Sequence, residues 1–357
     1  MSLKSKQILL YATVNLGIVV SCYWKCLQGE PAKLMIWAAA ISFPILNTVV
    51  WIGFRLRQKS SFAEMVDEIF WNEREFRAGW RLLIYLLFVA LFMFAGNFLI
   101  TILHLPRHGP ESFTATSGLV QEGFGFLAVL AATAIMSALE ARPFGVYGLP
   151  RAAAFRARFW QGLAWGMAMV TGIIFLIRAF GGFSFGDLAL RGPAIWGYAF
   201  LWGAVFVCVG FLEEFLFRGY AQFTLATGIG FWPAATALSA AFGAVHLSNP
   251  GEGKVGALSV FMIGMFFCLT LRRTGNLWFA VGLHAAFDWG ETFLYSVPDS
   301  GIVAPGHLLN SSFHGPAWLT GGTVGPEGSV ITFALVGIAT VIFVMVYPRV
   351  DAHATSE

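Results

Sequence analysis

The sequence predicts an all-α fold, a polytopic bundle of about ten transmembrane helices around a membrane-embedded polar cavity. Of its 357 residues, 57% are hydrophobic and only 11% are charged, whereas a soluble protein carries about 25% charged residues. Its mean hydropathy is +0.72, and long apolar runs recur along the chain. A soluble fold exposes too much of its chain to hide this composition, so lipid must surround most of it.

The predicted spans are apolar runs of about 18 residues or more, enough to cross ~30 Å of hydrocarbon. They cover residues 8–24, 34–54, 82–103, 122–140, 159–179, 193–217, 231–248, 255–271, 276–297 and 329–348. The seventh and eighth spans are short and rich in Gly and Ala, which makes them candidates for irregular crossings.

The spans and the composition between them divide the chain into three regions. Residues 1–192 hold the N-terminal transmembrane helices, with a segment near 55–81 that reads as an amphipathic helix on the cytoplasmic surface or as a solvated connector helix. Residues 193–297 form a core that carries polar residues within the membrane. Residues 298–357 supply an extracytoplasmic loop and the last transmembrane helix.

The distribution of basic residues predicts the orientation. With the N-terminus in the cytoplasm, most of the 22 Lys and Arg residues fall on the cytoplasmic side, as the positive-inside rule requires. The segments 105–121 and 298–328, rich in Gly, Pro, Ser and Thr, then read as extracytoplasmic loops. We therefore expect a multi-pass protein of the cell membrane with both termini in the cytoplasm.

The net charge of +3 is small, which argues against nucleic acid as a partner. Membrane lipids are the partners that the composition predicts.

Ionisable residues inside membrane spans cost about 2.5–3.5 kcal/mol each to insert, and they mark functional sites. Here they cluster between positions 213 and 291. Adjacent Glu213 and Glu214 lie about 100° apart on a helix, so they cannot share one role. Arg218, four residues after Glu214, can pair with it on one helix face, which leaves Glu213 as a candidate general base. A structural salt bridge at the membrane border is the alternative interpretation.

Two histidines lie in the following spans. His246 ends the run that begins at Phe242, and a lone histidine on an apolar helix is often a buried structural residue. His284 and Asp288 are one helical turn apart, so both can face one cavity. A histidine there could carry a proton, bind a metal or stabilise an oxyanion. Glu291 lies a further turn along, at the expected membrane interface.

Together these residues predict a site within the membrane, but the residue types leave its class open. A proton-coupled transporter would also use buried Glu and His. Transporters often consist of paired, inverted halves with broken helices, and the first half of this chain does not mirror the second.

Three motifs, in this order and spacing, resemble those of the CAAX-protease and bacteriocin-processing (CPBP or Abi) family of intramembrane proteases, which includes the Ras-converting CAAX endopeptidases. They are Glu213-Glu214-x-x-x-Arg218, Phe242-x-x-x-His246 and His284-x-x-x-Asp288. The resemblance covers about residues 195–295.

The resemblance implies an intramembrane endopeptidase in which a glutamate and a histidine, here Glu213 and His246, position and activate a water. Glu214 and Arg218 would then support the site or bind substrate, with Phe242 as a further supporting residue.

The resemblance further implies that His284 and its partner Asp288 stabilise the oxyanion. The family usually has Asn where this chain has Asp288. An amide can donate a hydrogen bond to an oxyanion, whereas an ionised carboxylate cannot. Asp288 must therefore be protonated, orient His284 or take another role.

No cofactor is assigned from the sequence. His246, His284 and Glu213 could hold a divalent metal such as zinc with one open position, but we expect the metal-free glutamate mechanism. The substrate implied is a membrane-bound or lipidated peptide, cleaved near the cytoplasmic face. A non-catalytic immunity or scaffold protein of the same fold is the alternative.

The simple topology creates a conflict, because it puts Glu213 near the cytoplasmic end of its span and His246 near the far end of the next. For both to contact one water, the seventh or eighth span must be tilted, broken or re-entrant.

Overall fold

The computed structural model describes residues 47, 70–72, 76–107, 113–249 and 251–348. Helices dominate this part of the chain. They are α1 (Ala78–Ile102), α2 (Ala115–Leu139), α3 (Ala157–Ala179), α4 (Pro193–Arg218), α5 (Tyr220–Ile229), α6 (Phe231–His246), α7 (Lys254–Thr274), α8 (Trp278–Trp289), α9 (Ala317–Thr320) and α10 (Val330–Val346). The short strands β1 (Phe183–Ser184) and β2 (Ser312–Phe313) pair antiparallel.

Five helical stretches of the described residues are long and apolar enough to cross a membrane, namely α1, α2, α3, α4 with α5, and α7. The chain is therefore an integral membrane protein. Each predicted span from position 82 onward coincides with a helix, but α6, α8 and α10 have only 16, 12 and 17 residues. The first two predicted spans lie outside the described residues except for residue 47, so the count of ten stays a prediction.

A break between α4 and α6 resolves the conflict in the simple topology. The helix ends at Arg218, the ten residues of α5 follow, and α6 then begins. Gly219 and Gly230 form the two junctions, and Gly230 has φ +86°, a conformation that residues with a Cβ rarely adopt. The break lets α6 pack against α4, where the Phe217 and Phe242 rings lie 5.0 Å apart.

The centre of the fold is α8, whose residues from Trp278 to Asp288 are all buried. It packs closely against α3 and α4. Glycines permit the approach to α3, because a Cβ at Gly162, Gly166 or Gly282 would overlap a carbonyl oxygen of the facing helix.

The long loop 298–328 folds back onto the helices. The Leu308 amide donates to the carbonyl of Phe293 at 2.9 Å, and β2 in this loop pairs with β1. The Asn249 amide group, just after α6, donates to the carbonyl of Ser300 at 3.2 Å. The loop thus joins the ends of α6 and α8 instead of extending into solvent.

Spatial clustering divides the chain into two compact units, Met1–Trp80 and Arg81–Glu357. All the predicted site residues belong to the second unit. The predicted amphipathic segment near 55–81 lies mostly outside the described residues, and at its end Trp71 and Phe76 form an antiparallel bridge. The predicted boundaries at 192/193 and 297/298 stay predictions.

Candidate active site

A cavity of about 230 Å³ lies between α2, α4, α6, α7, α8 and the loop 298–328. Its lining includes Glu213, Phe242, His246, His284 and Asp288. The fold therefore gathers around one cavity five of the seven residues that the motifs singled out.

The other two residues, Glu214 and Arg218, lie behind the cavity wall. Arg218 Nη1 is 3.2 Å from Glu214 Oε1, and both side chains are fully buried, which confirms the predicted pairing. The guanidinium also lies over the Phe242 ring at 4.3 Å and the Phe267 ring at 5.4 Å. Aromatic faces and a carboxylate together compensate the charge of a desolvated arginine.

His284 lies among three carboxylates. Its Nδ1 is 3.0 Å from Glu214 Oε1, and its Nε2 is 3.3 Å from Asp288 Oδ2 and 3.6 Å from Glu213 Oε2. The imidazole also stacks on the Phe267 ring, with centroids 5.2 Å apart. A neutral imidazole donates from one nitrogen only, whereas the protonated ring donates from both. The surroundings of His284 therefore favour a positively charged ring.

These contacts distinguish among the roles considered for Asp288. Its carboxylate accepts from His284 Nε2 at 3.3 Å, so the geometry supports the role of orienting His284. An oxyanion that bound to Nε2 would have to replace the contact with Asp288 or with Glu213.

His246 presents a different chemistry to the cavity. Its Nδ1 is 2.9 Å from the carbonyl oxygen of Phe242, and a carbonyl only accepts, so Nδ1 carries the proton. That tautomer leaves Nε2 as an acceptor. His246 can therefore orient a water or ligate a metal, but it cannot donate from Nε2 in this form.

Glu122 is a cavity residue that the sequence analysis missed. Helix α2 begins at Ala115, seven positions before the predicted span, so Glu122 lies two turns inside an apolar helix. It lines both the main cavity and a second one of about 190 Å³ beside Asn97 and Leu212. A lone carboxylate within an apolar run was the available signal, and placing the span start at 122 concealed it.

A second acidic group adjoins the cavity. One oxygen from each of Glu291, Asp299 and Glu327 lies within 4.8 Å of the other two. Glu291 is fully buried within the protein, and its predicted place at the membrane interface stays a prediction. Burial raises the pKa of Glu327 to about 7, and burial with repulsion from Asp288 and Glu327 raises the pKa of Asp299 above its ordinary value. The two loop acids carried no sequence signal, because only the folded loop brings them to α8.

The three residues that the sequence suggested for zinc lie farther apart than the members of this acidic group. Among the described residues, Glu213, His246 and His284 do not form a group whose ligand atoms all lie within 4.8 Å of one another. Zinc at these residues would require their side chains to move together.

Residues of two connecting segments line the cavity together with the helices. They include Phe113, which precedes α2, and Ser300, Ile302, Ala304 and Glu327 of the loop 298–328. The distribution of basic residues predicts that both of these segments lie outside the cytoplasm.

Residues 195–290 match the family model described as type II CAAX prenyl endopeptidase Rce1-like. This segment contains the three motifs from Glu213 to Asp288, so the predicted resemblance is confirmed over it. No curated protein and no solved structure matches the chain.

Proposed function

From the match of residues 195–290 to the type II CAAX prenyl endopeptidase Rce1-like family, we propose that the chain is an intramembrane endopeptidase that hydrolyses a membrane-associated peptide. The observation that carries the proposal is the shared cavity, where the carboxylate of Glu213 and the acceptor nitrogen of His246 both line the wall. The Glu213 side chain is 26% exposed, which leaves it accessible to water and substrate.

In the proposed reaction, Glu213 accepts a proton from a water that His246 Nε2 orients by accepting its second hydrogen. The water oxygen attacks the scissile carbonyl carbon, and the carbonyl oxygen becomes an oxyanion. The intermediate collapses as the C–N bond breaks, and Glu213 returns the proton to the leaving amine. The water is thereby divided between the new carboxyl and amine ends.

His284 supplies the positive charge for the oxyanion in this proposal, since preorganised donors are worth most where water is excluded. Asp288 and Glu214 orient the imidazole from its two nitrogens. Arg218 contacts Glu214 and holds its carboxylate in place.

The substrate is proposed to reach the site from the side of the loops 105–121 and 298–328. Position along the span predicts Glu213 near the cytoplasmic face, whereas the basic residues predict that these two segments are extracytoplasmic. Residues of both segments line the same cavity as Glu213, and we give this contact the greater weight. The proposed substrate is therefore a membrane-bound or lipidated peptide with its cleaved bond on the extracytoplasmic side.

The decisive experiment is cleavage of a quenched fluorescent peptide library, with and without a lipid anchor, by the full chain in detergent micelles. Glu213→Gln should lose turnover while remaining folded, because the amide cannot accept the proton. Asp187→Asn, at an exposed acid outside the cavity, is the matched control and should retain it. Turnover in Glu213→Gln equal to that of the wild type would refute the general-base role.

A chelator arm tests the zinc alternative in the same assay. Turnover that withstands chelation supports the metal-free mechanism. Loss of turnover with chelator that zinc alone restores would favour a metal held by Glu213, His246 and His284.

A non-catalytic scaffold or immunity role is the second candidate. It is favoured by the engagement of both His284 nitrogens with carboxylates, which leaves no donor free for an oxyanion until a contact is displaced. Absence of cleavage of every peptide, lipidated ones included, would support it.

A further inference from the structure

The acidic group beside the cavity is built from three separate segments. Glu291 belongs to the π-helical turn Gly290–Tyr295 that continues α8. Asp299 lies in the following loop, and Glu327 lies in a 3₁₀ turn just before α10. Their carboxylate oxygens meet within 4.8 Å, although like charges at this distance repel.

Glu291 is the unsatisfied member of the group. It has no exposed surface, and neither of its carboxylate oxygens has a hydrogen-bond partner within the described part of the chain. The charged groups that act on it are the carboxylates of Glu327, Asp299 and Asp288. A buried carboxyl group with acidic neighbours is held either by a proton or by a cation that replaces the proton.

The other two carboxylates are held in place by hydrogen bonds to one oxygen each. Thr292 Oγ1 donates to Asp299 Oδ2 at 3.0 Å. The backbone amide and hydroxyl of Ser300 both donate to Glu327 Oε2 at 2.8 Å. The remaining oxygens are left for a ligand, and both residues line the cavity, which gives an ion a path from water.

We propose that Glu291, Asp299 and Glu327 bind a hard divalent cation of the Ca²⁺ or Mg²⁺ class. The ligand set consists only of oxygen, which such ions prefer. Ca²⁺ binds oxygen at about 2.3–2.6 Å, so opposite ligands of one ion lie up to roughly 5 Å apart. Carboxylate oxygens that all lie within 4.8 Å of one another are compatible with this geometry. Water from the cavity would complete the coordination.

The proposed ion would fasten the loop 298–328 to the segment that follows His284 and Asp288. Asp299 and Glu327 come from the two ends of this loop, and Glu291 comes from the continuation of α8. A bound cation would thus fix one wall of the cavity without touching the reacting atoms. This site is separate from the residues considered for zinc.

The test is cation binding by the full chain in detergent, stripped with EDTA and then titrated with Ca²⁺ or Mg²⁺. Calorimetry should give saturable binding of one ion per chain, and the melting temperature should rise with ion concentration. Glu291→Gln and Glu327→Gln should each weaken binding by at least about tenfold. Asp187→Asn, the exposed acid, should bind as the wild type does.

Glu291→Gln also distinguishes a lost ligand from a lost fold. The substitution replaces a buried carboxyl group without partners by a neutral amide of the same size, so the cation-free melting temperature should stay level or rise. A folded Glu291→Gln with wild-type affinity, or a wild type that binds neither ion at millimolar concentration, would overturn the proposal. Cation binding is measured without any peptide cleavage. A negative result for the cation site can therefore be distinguished from a negative result for the proposed peptidase.

Discussion

At the scale of single residues, two buried ion pairs share one carboxylate. Glu214 Oε1 accepts from Arg218 Nη1 at 3.2 Å and from His284 Nδ1 at 3.0 Å. Glu214 therefore connects the guanidinium of Arg218, which does not line the cavity, to the imidazole of His284, which does. Neighbouring Glu213 contacts the same ring from the other side at 3.6 Å, so two adjacent glutamates serve different purposes.

Arg218→Ala should lower stability, because it removes one of the two buried partners of Glu214. The other partner, His284, also contacts Asp288 and Glu213. Breaking a buried pair in this way costs about 3–5 kcal/mol. The measurement is thermal unfolding in detergent, with exposed Arg151→Ala as the matched control. The double substitution Glu214→Gln with Arg218→Met should recover part of the loss, since it removes both charges. A melting temperature unchanged in Arg218→Ala would contradict the pairing.

The residue types predicted much of the site. The i, i+4 spacing of Glu214 and Arg218 and of His284 and Asp288 depends only on helix geometry, and both contacts are present. Contact of His284 with both glutamates could not be read from spacing, because it joins positions about seventy residues apart. Such contacts depend on how α8 packs against α4.

At the scale of elements, the position of His284 depends on how closely α8 approaches α3. Gly162-x-x-x-Gly166 on α3 faces Gly282 on α8, and a Cβ at any of the three would overlap backbone atoms of the facing helix. Small residues at such spacing are typical of close helix contacts in membranes. The glycine spacing on α3 is visible in the sequence, but the sequence does not show which helix packs against it.

Gly166→Ala should destabilise the protein and reduce turnover, because the new methyl group would overlap the backbone of Leu283, next to His284. Overpacking of this kind costs about 1–3 kcal/mol. Gly337→Ala on α10, where nothing lies within 4 Å of the added Cβ, is the matched control and should be neutral or slightly stabilising. Thermal unfolding and peptide turnover are the measurements. If both variants have the same melting temperature and turnover, the fold tolerates a wider distance between α3 and α8.

The boundaries of the predicted spans differ from those of the observed helices most clearly in residues 276–297. Hydropathy detects α1, α2, α3, α4 and α7 as long helices, but it gave one span for residues 276–297. The structure divides that range into the 12 residues of α8 and a π-helical turn. Apolar composition continues through both, so only packing decides where the hydrogen-bond pattern changes.

At the scale of the whole molecule, the side on which the cavity opens decides which peptides can reach it. Its lining includes Phe113, just before α2, and residues of the loop 298–328, and the positive-inside rule predicts that both segments lie outside. Two members of the acidic group, Asp299 and Glu327, belong to the same loop. A cation site there would also make turnover sensitive to chelators without any metal in the reaction, so restoration by Ca²⁺ or Mg²⁺ must be compared with restoration by zinc.

The orientation is testable with single cysteines in a background where all 4 native cysteines are replaced. Ala317→Cys, exposed in the loop 298–328, should react with an impermeant thiol reagent on intact cells. Ala152→Cys, exposed in the Arg-rich connection between α2 and α3, should react only after permeabilisation. The reverse pattern would place the loop 298–328 in the cytoplasm, and the proposed substrates would then be peptides on the cytoplasmic side.

The sequence by itself determined that this is a helical membrane protein, and it selected the motif residues. Both follow from local physics, since apolar length and the cost of buried charge are properties of a segment alone. Tertiary structure alone decided that α6 returns to bring His246 to the cavity of Glu213, that Glu122 joins them, and that distant acids meet Glu291. Those contacts depend on breaks at glycines and on the folding of a loop, for which a single chain offers no periodic signal.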